Sequence, residues 1–145
     1  MTKASEIGAQ VKQRLEQITP ANGYLTDVRG VFSGTDNVKD SQPKPYLLVR
    51  VELDRRTSSA GTEKTRLRTY KIEAVFKGSA EDSELDALGV DIQRALGFGR
   101  DDWDDCLPGI VDDEDAMEYT YGAGRGVSTR SLFVTIGVTY SENYN

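Results

Sequence analysis

Apolar residues recur at Ile7, Val11, Leu15 and Ile18, at spacings of four, four and three, which is one stripe of an amphipathic helix. Ser5 stands where an N-cap belongs, and Thr19-Pro20 followed by Asn22-Gly23 stops the helix and turns the chain. Tyr24 to Phe32 holds Tyr, Thr, Val and Phe and reads as a strand, and Ser33 to Pro45 as a polar loop. Leu47, Val49, Val51 and Leu53 then alternate with Leu48, Arg50, Glu52 and Asp54, the period of two of a half-buried strand. Residues 55–65, rich in Ser, Thr, Gly and charge, read as a long flexible hairpin loop. Beyond them Tyr70, Ile72, Ala74 and Phe76 share one face, and Thr69, Lys71, Glu73 and Val75 the other. The two runs predict a β-hairpin with an extended tip.

Asp82-Ser83 opens a second helix, with Ser83 and Asp86 spaced as in a capping box. Leu85, Leu88, Ile92, Ala95 and Leu96 form its stripe, and Gly97 suits its end. Residues 99–115 form an acidic, irregular loop; Met117, Tyr119 and Tyr121 begin a strand. Leu132, Val134, Ile136, Val138 and Tyr140 mark the last strand, and residues 141–145 a short tail. The order α-β-β-β-α-β-β is not strict βαβ alternation. It predicts one α+β domain over residues 1–145, a mixed or antiparallel sheet with two helices on one face.

A chain of 145 residues is long enough to bury a core without disulfide or metal. Charged residues make up 29% and apolar ones 37%, a globular balance rather than a disordered one. The net charge of −6 disfavours broad binding to nucleic acid or anionic membrane. The N-terminus is polar, and no apolar run approaches the length of a signal-peptide core or a membrane span, so a soluble cytoplasmic product is expected. The chain has no histidine, which removes imidazole bases and ligands, and its lone Cys106 permits neither an intrachain disulfide nor a thiolate cluster. No enzyme is expected, and no cofactor or metal.

Four features invite a functional reading. Gly122, Gly124 and Gly126 lie between two strands, so a turn or bulge explains them better than a phosphate loop, which needs a helix after the glycines. Asp101, Asp102, Asp104, Asp105, Asp112, Asp113, Glu114 and Asp115 place eight carboxylates within fifteen residues. That density admits a Ca²⁺ or Mg²⁺ site, or an acid–base pair of a hydrolase, but the calcium-loop spacing is missing and a solvated acidic loop fits better. Arg50, Arg55, Arg56, Lys64, Arg66, Arg68 and Lys71 gather on the first hairpin, either a charged rim on solvated strands, or a nucleic-acid patch or docking surface for an acidic partner; aromatic residues are not interleaved with them, which weakens single-strand binding. Trp103, among four aspartates, either covers the edge of the core or anchors an interface.

The charge is also unevenly distributed. Up to Lys77 the chain carries 14 basic and 9 acidic side chains, a balance of +5; beyond it 4 basic and 15 acidic, a balance of −11. Such halves could attract one another between copies of the chain, head to tail.

The opening helix with Ile18-Thr19-Pro20-Ala21-Asn22-Gly23-Tyr24-Leu25-Thr26-Asp27-Val28 resembles a known family. So do Pro43-Lys44-Pro45 leading into Tyr46-Leu47-Leu48-Val49-Arg50-Val51, the helix Leu88-Gly89-Val90-Asp91-Ile92-Gln93-Arg94-Ala95-Leu96, and the long last strand. Over roughly residues 5–141 the pattern is similar to the tail-terminator, or tail-completion, proteins of long-tailed bacteriophages, the lambda-type minor tail proteins. The resemblance implies a virion protein of the tail neck, assembled in the host cytoplasm as a homo-oligomer, a hexameric ring. Such a ring caps the tail-tube protein, ends tube polymerisation, docks the head–tail connector proteins and lets DNA pass without specific binding. On that reading Arg55, Arg56, Arg66, Arg68 and Trp103 are candidates for the subunit or tube interface, and the acidic residues 101–105 and 112–115 for the lumen. A head-completion or head–tail joining role is the nearest alternative, and a carboxylate- or metal-dependent hydrolase the alternative of another class.

Overall fold

The computed structural model describes residues 2–97, 110–112, 118–123 and 129–144, of which 110–112 and 118–123 as backbone. Helix α1 spans Lys3–Glu16 and buries Ile7, Val11 and Leu15. Its cap is Thr2 rather than Ser5: Thr2 Oγ1 accepts from the Ser5 amide at 3.1 Å. An N-cap oxygen serves the third amide of its helix, and Ser5 supplies that amide. The helix ends before a single 3₁₀ turn, Pro20–Asn22, closed by Gly23 at φ +89°. Helix α2 spans Asp82–Ala95 with Glu81 as N-cap, and Glu84 Oε2 accepts from the Glu81 amide at 2.7 Å. The helix therefore starts two residues ahead of the Ser83–Asp86 spacing. Gly97 (φ +95°) closes it as expected, its amide on the Arg94 carbonyl.

The strands are β1 (Val31–Ser33), β2 (Tyr46–Ala60), β3 (Glu63–Lys77), β4 (Ile110–Asp112), β5 (Glu118–Ala123) and β6 (Thr129–Asn143). They form one mixed sheet in the order β1-β2-β3-β6-β4, with β5 also on β6. Only β1–β2 is parallel among these pairings. Both helical stripes pack on the face carrying Leu47, Tyr70, Ile72, Ala74, Phe76, Leu132, Val134, Ile136 and Val138, a single buried cluster. Each buried Leu or Ile contributes roughly 1.5–3 kcal/mol. The opposite face holds a smaller core of Tyr46, Leu48 and Val75, covered by Phe32 and Val38. Phe32 comes from β1 and Val38 from the connection that follows it, which reaches β2 through a cis Lys44–Pro45 bond. The described residues thus form one α+β domain with two helices on one face.

Four expectations need correction. The strand foreseen over 24–32 forms only at Val31–Ser33, because the preceding amides have other acceptors. Leu25 and Thr26 donate to the Asp91 carboxylate, Val28 to the Ile18 carbonyl and Arg29 to the Pro45 carbonyl. Residues 55–65 are not a loop. The two strands continue to Ala60↔Glu63 around a two-residue turn, with Gly61 at φ +62° in its first position. That is where a type II′ hairpin turn takes glycine. Residues 141–143 are not a tail either: they finish β6 opposite Thr65, Lys64 and Glu63, and the Tyr144 amide donates to the Thr62 carbonyl at 2.9 Å. Of the acidic loop, Ile110–Asp112 is strand β4, paired with Thr139–Gly137 of β6.

Candidate assembly surface

Strands β2, β3 and β6 outrun the rest of the sheet. β1 covers the outer edge of β2 only from Leu47 to Val49, and β4 reaches only Thr139 of β6. Beyond those points the three strands form an arm in which residues 51–60 are exposed apart from half-buried Asp54. Among the described residues no strand pairs with the outer edge of β2 past Val49.

A bulge at the root of the arm decides which side chains it presents. Val51 pairs with Tyr70, but Leu53 pairs with Thr69, so Glu52 is the extra residue. An extra residue reverses the side chains that follow it, here from Leu53 to Arg56, after which the register shifts again before Ser58. Leu53, expected on the face of Val51, turns to the opposite face, and Asp54 turns to the helix face. There it meets Arg68, its register partner, and Arg66 and Tyr140, which pair with each other across β3 and β6.

The result is a four-residue knot. Asp54 Oδ1 accepts from Arg66 Nε at 2.5 Å. Asp54 Oδ2 accepts from an Arg68 guanidinium nitrogen at 2.9 Å and from the Tyr140 hydroxyl at 2.5 Å. Arg68 Nε also donates to the Tyr70 hydroxyl at 3.0 Å. Burial pushes the Asp54 carboxyl up, but the hydrogen bonds from Tyr140, Arg66 and Arg68 outweigh it and hold it below the usual value. Burial, then the hydrogen bond to Asp54 and the Asp54 charge, push the Tyr140 hydroxyl up to about 12. Burial raises Tyr70 as well, against the pull of Arg68. The knot stiffens the arm where it leaves the core.

These distances sort the sequence-derived candidates. Arg66 and Arg68 are committed to Asp54 and brace the arm from within. Arg55 and Arg56 are exposed on β2, opposite Leu67 and Arg66. Trp103, Asp101, Asp102, Asp104, Asp105, Asp113, Glu114 and Asp115 lie outside the described residues, as do Gly124 and Gly126; of Asp112 only its backbone in β4 is placed. Among the described residues no group of three potential metal ligands occurs, and no helix is long and apolar enough to cross a membrane.

Two buried carboxylates escaped the sequence reading. Asp91, fully buried, accepts from the Leu25 amide (3.2 Å), the Thr26 amide (2.8 Å) and the Thr26 hydroxyl (2.6 Å), with Arg94 at 3.5 Å. Its place inside the apolar stripe of α2, between Leu88 and Ile92, was the available signal, since a carboxylate there requires donors. Glu73, on the second face, accepts from the Ser131 hydroxyl at 2.8 Å and faces Arg50 at 3.3 Å. A groove of about 420 Å³ runs between the segment that Asp91 anchors and the first turns of α2, lined in part by Leu25, Asp27, Pro45, Phe76, Glu84 and Ala87.

These features define a class: a single-domain α+β protein whose mixed sheet carries two helices on one face and sends out a braced three-stranded arm. No protein-family model matches the sequence, and no curated protein matches it. The fold is similar to a chain of a solved structure described as the virion of the native gene transfer agent (GTA) particle. The TM-score is 0.59 and the identity 13%, over 97% of this chain and 97% of that one.

Proposed function

We propose that this chain is a structural protein of a phage-like virion and serves as its tail terminator. The observation that carries the reading is the end-to-end likeness of fold to a chain of the GTA virion, over 97% of both chains. The sequence resemblance to tail-terminator proteins supplies the finer role. In that role copies of the chain form a ring, hexameric by the resemblance, that caps the tail tube and offers its outer surface to the head connector. DNA passes through the centre, and the work is assembly rather than catalysis. A braced arm suits it, because a projecting element transmits binding free energy only if ordering it costs little.

Electron micrographs of particles made without the chain test the proposal. Overlong, unsealed tails are the expected outcome. Tails of normal length that lack heads would instead move the chain to a head–tail joining role. Intact infectious particles would exclude both.

A further inference from the structure

Where the outer edge of β2 is open, its two exposed apolar side chains lie on opposite faces. Val51 (46% exposed) is on the helix face and Leu53 (52%) on the other. Nothing laid on one face covers both, whereas a strand added to the edge flanks both at once. The edge also presents unpaired backbone. The Leu47 amide donates to the Gly30 carbonyl and the Val49 carbonyl accepts from the Gly34 amide, so both residues turn their polar groups outward. Alternation along the strand carries that role to Val51, and the extra residue Glu52 passes it to Asp54 and Arg56. Arg55 and Arg56 are exposed and have no ion-pair partner among the described residues.

The opposite end of the sheet is the outer edge of β4, on which no described strand pairs. Its height matches the open part of β2. Ile110 pairs with Thr139, Thr139 with Leu67 and Leu67 with Arg55; Asp112 pairs with Gly137, Gly137 with Thr69 and Thr69 with Leu53. Three antiparallel pairings separate the two strands, so β4 runs antiparallel to β2. A second copy standing beside the first in the same orientation therefore offers β4 to β2. Charge agrees, since Asp112 is followed in sequence by Asp113, Glu114 and Asp115, whereas the free charges on β2 are arginines.

We propose that β2 of one copy, past Val49, adds to β4 of a second copy, so that the sheet continues from copy to copy. A stagger of two residues toward the hairpin tip keeps the alternation of backbone groups and sets Asp112 of the second copy opposite Arg55. Such staggers accompany strand tilt when a sheet closes on itself. The second copy's β5 then comes level with β1, roughly 20 Å from the pairing, where a twist of roughly 20–25° between strands moves it about 8 Å out of the plane of β1. The contact joins two different edges, so each copy keeps one of each free, and association continues until a ring closes or a filament grows. It rests on the ring assembly proposed above and names the edges that meet.

Paired cysteines test the register in the full-length chain, on a Cys106→Ser background. Within one copy, positions 55 and 112 lie three strand spacings apart, roughly 14 Å, too far for a disulfide. Arg55→Cys together with Asp112→Cys should, on mild oxidation, give a ladder of covalent multimers on a denaturing gel; either substitution alone should give at most a dimer. Charge exchange tests the same pair by sedimentation velocity from micromolar to submillimolar concentration. The wild type should form species larger than a dimer. Arg55→Glu and Asp112→Arg should each need about ten times the concentration to do so, with an unchanged circular dichroism spectrum, and the two combined in one chain should recover. Arg56→Pro, which removes an outward amide and no bond to β3, should leave the chain monomeric. A monomeric wild type, no ladder from the cysteine pair, or single variants that associate like the wild type would each overturn the interface. Tail length in particles reports separately: no ladder, while loss of the chain yields overlong tails, would remove this interface and keep the terminator role.

Discussion

The Tyr140 hydroxyl donates to Asp54 Oδ2 at 2.5 Å, across the intervening strand β3 and 86 residues of sequence. This bond ties the last strand to the residue that the β2 bulge turns inward. The arm is consequently one unit of three strands, held at its root by Asp54, Arg66, Arg68 and Tyr140.

Removing Asp54 should cost more than one hydrogen bond. In Asp54→Ala two guanidinium groups and a hydroxyl lose their common acceptor, and stability should fall by about 2 kcal/mol. Urea titration measures the loss, and amide exchange should accelerate first in residues 50–60 and 63–70. An unchanged midpoint would mean that the knot does not brace the arm.

The knot also sets a pH dependence with two signs. The folded Asp54 carboxyl titrates below its ordinary value, so its contribution is complete above that value and is lost as pH falls through the folded one. Tyr140 behaves oppositely: its contribution is complete below the ordinary value of 10 and disappears as pH rises toward about 12. Thermal melts across pH 9–12 should show a fall in midpoint that Tyr140→Phe reduces. Tyr70, also raised, leaves part of the fall in place.

Asp91 is the second structural carboxylate. It takes the amides of Leu25 and Thr26 out of competition for a strand and fixes one wall of the groove. Asp91→Ala leaves those part-buried donors without their acceptor and should destabilise the chain by about 2 kcal/mol. Equilibrium unfolding measures that loss. Asp91→Asn, which keeps one acceptor, should lose less.

At the hairpin tip only the backbone is at stake. A Cβ on Gly61 meets nothing within 4 Å, yet φ there is +62°. Gly61→Val should therefore cost about 1 kcal/mol through the positive φ alone, and Gly61→Ala, which adds only a Cβ, a comparable amount. Matched denaturation curves of the two variants separate conformation from contact.

The parts legible in the sequence are those with a regular apolar period. The stripes of α1 and α2 and the alternation in β3 and β6 place nearly all of the main core, because burial on one face repeats at a fixed spacing. What escaped depends on partners distant in sequence. Tyr24 to Gly30 has strand composition, but Asp91, Ile18 and Pro45 take its hydrogen bonds. Residues 55–65 have loop composition, yet an arm wet on both faces needs no apolar alternation, and cross-strand pairing to β3 keeps it extended. The bulge at Glu52 left no compositional mark, so Arg66 and Arg68 read as free cations while Asp54 went unnoticed. Arg55 and Arg56, candidates for the subunit or tube interface by the resemblance, are exposed.

Antibody-labelled electron microscopy of purified particles tests the central claim most directly. The account predicts label at one place on each particle, the junction of tail tube and head. Label along the tail or over the capsid, or particles free of the chain, would contradict it.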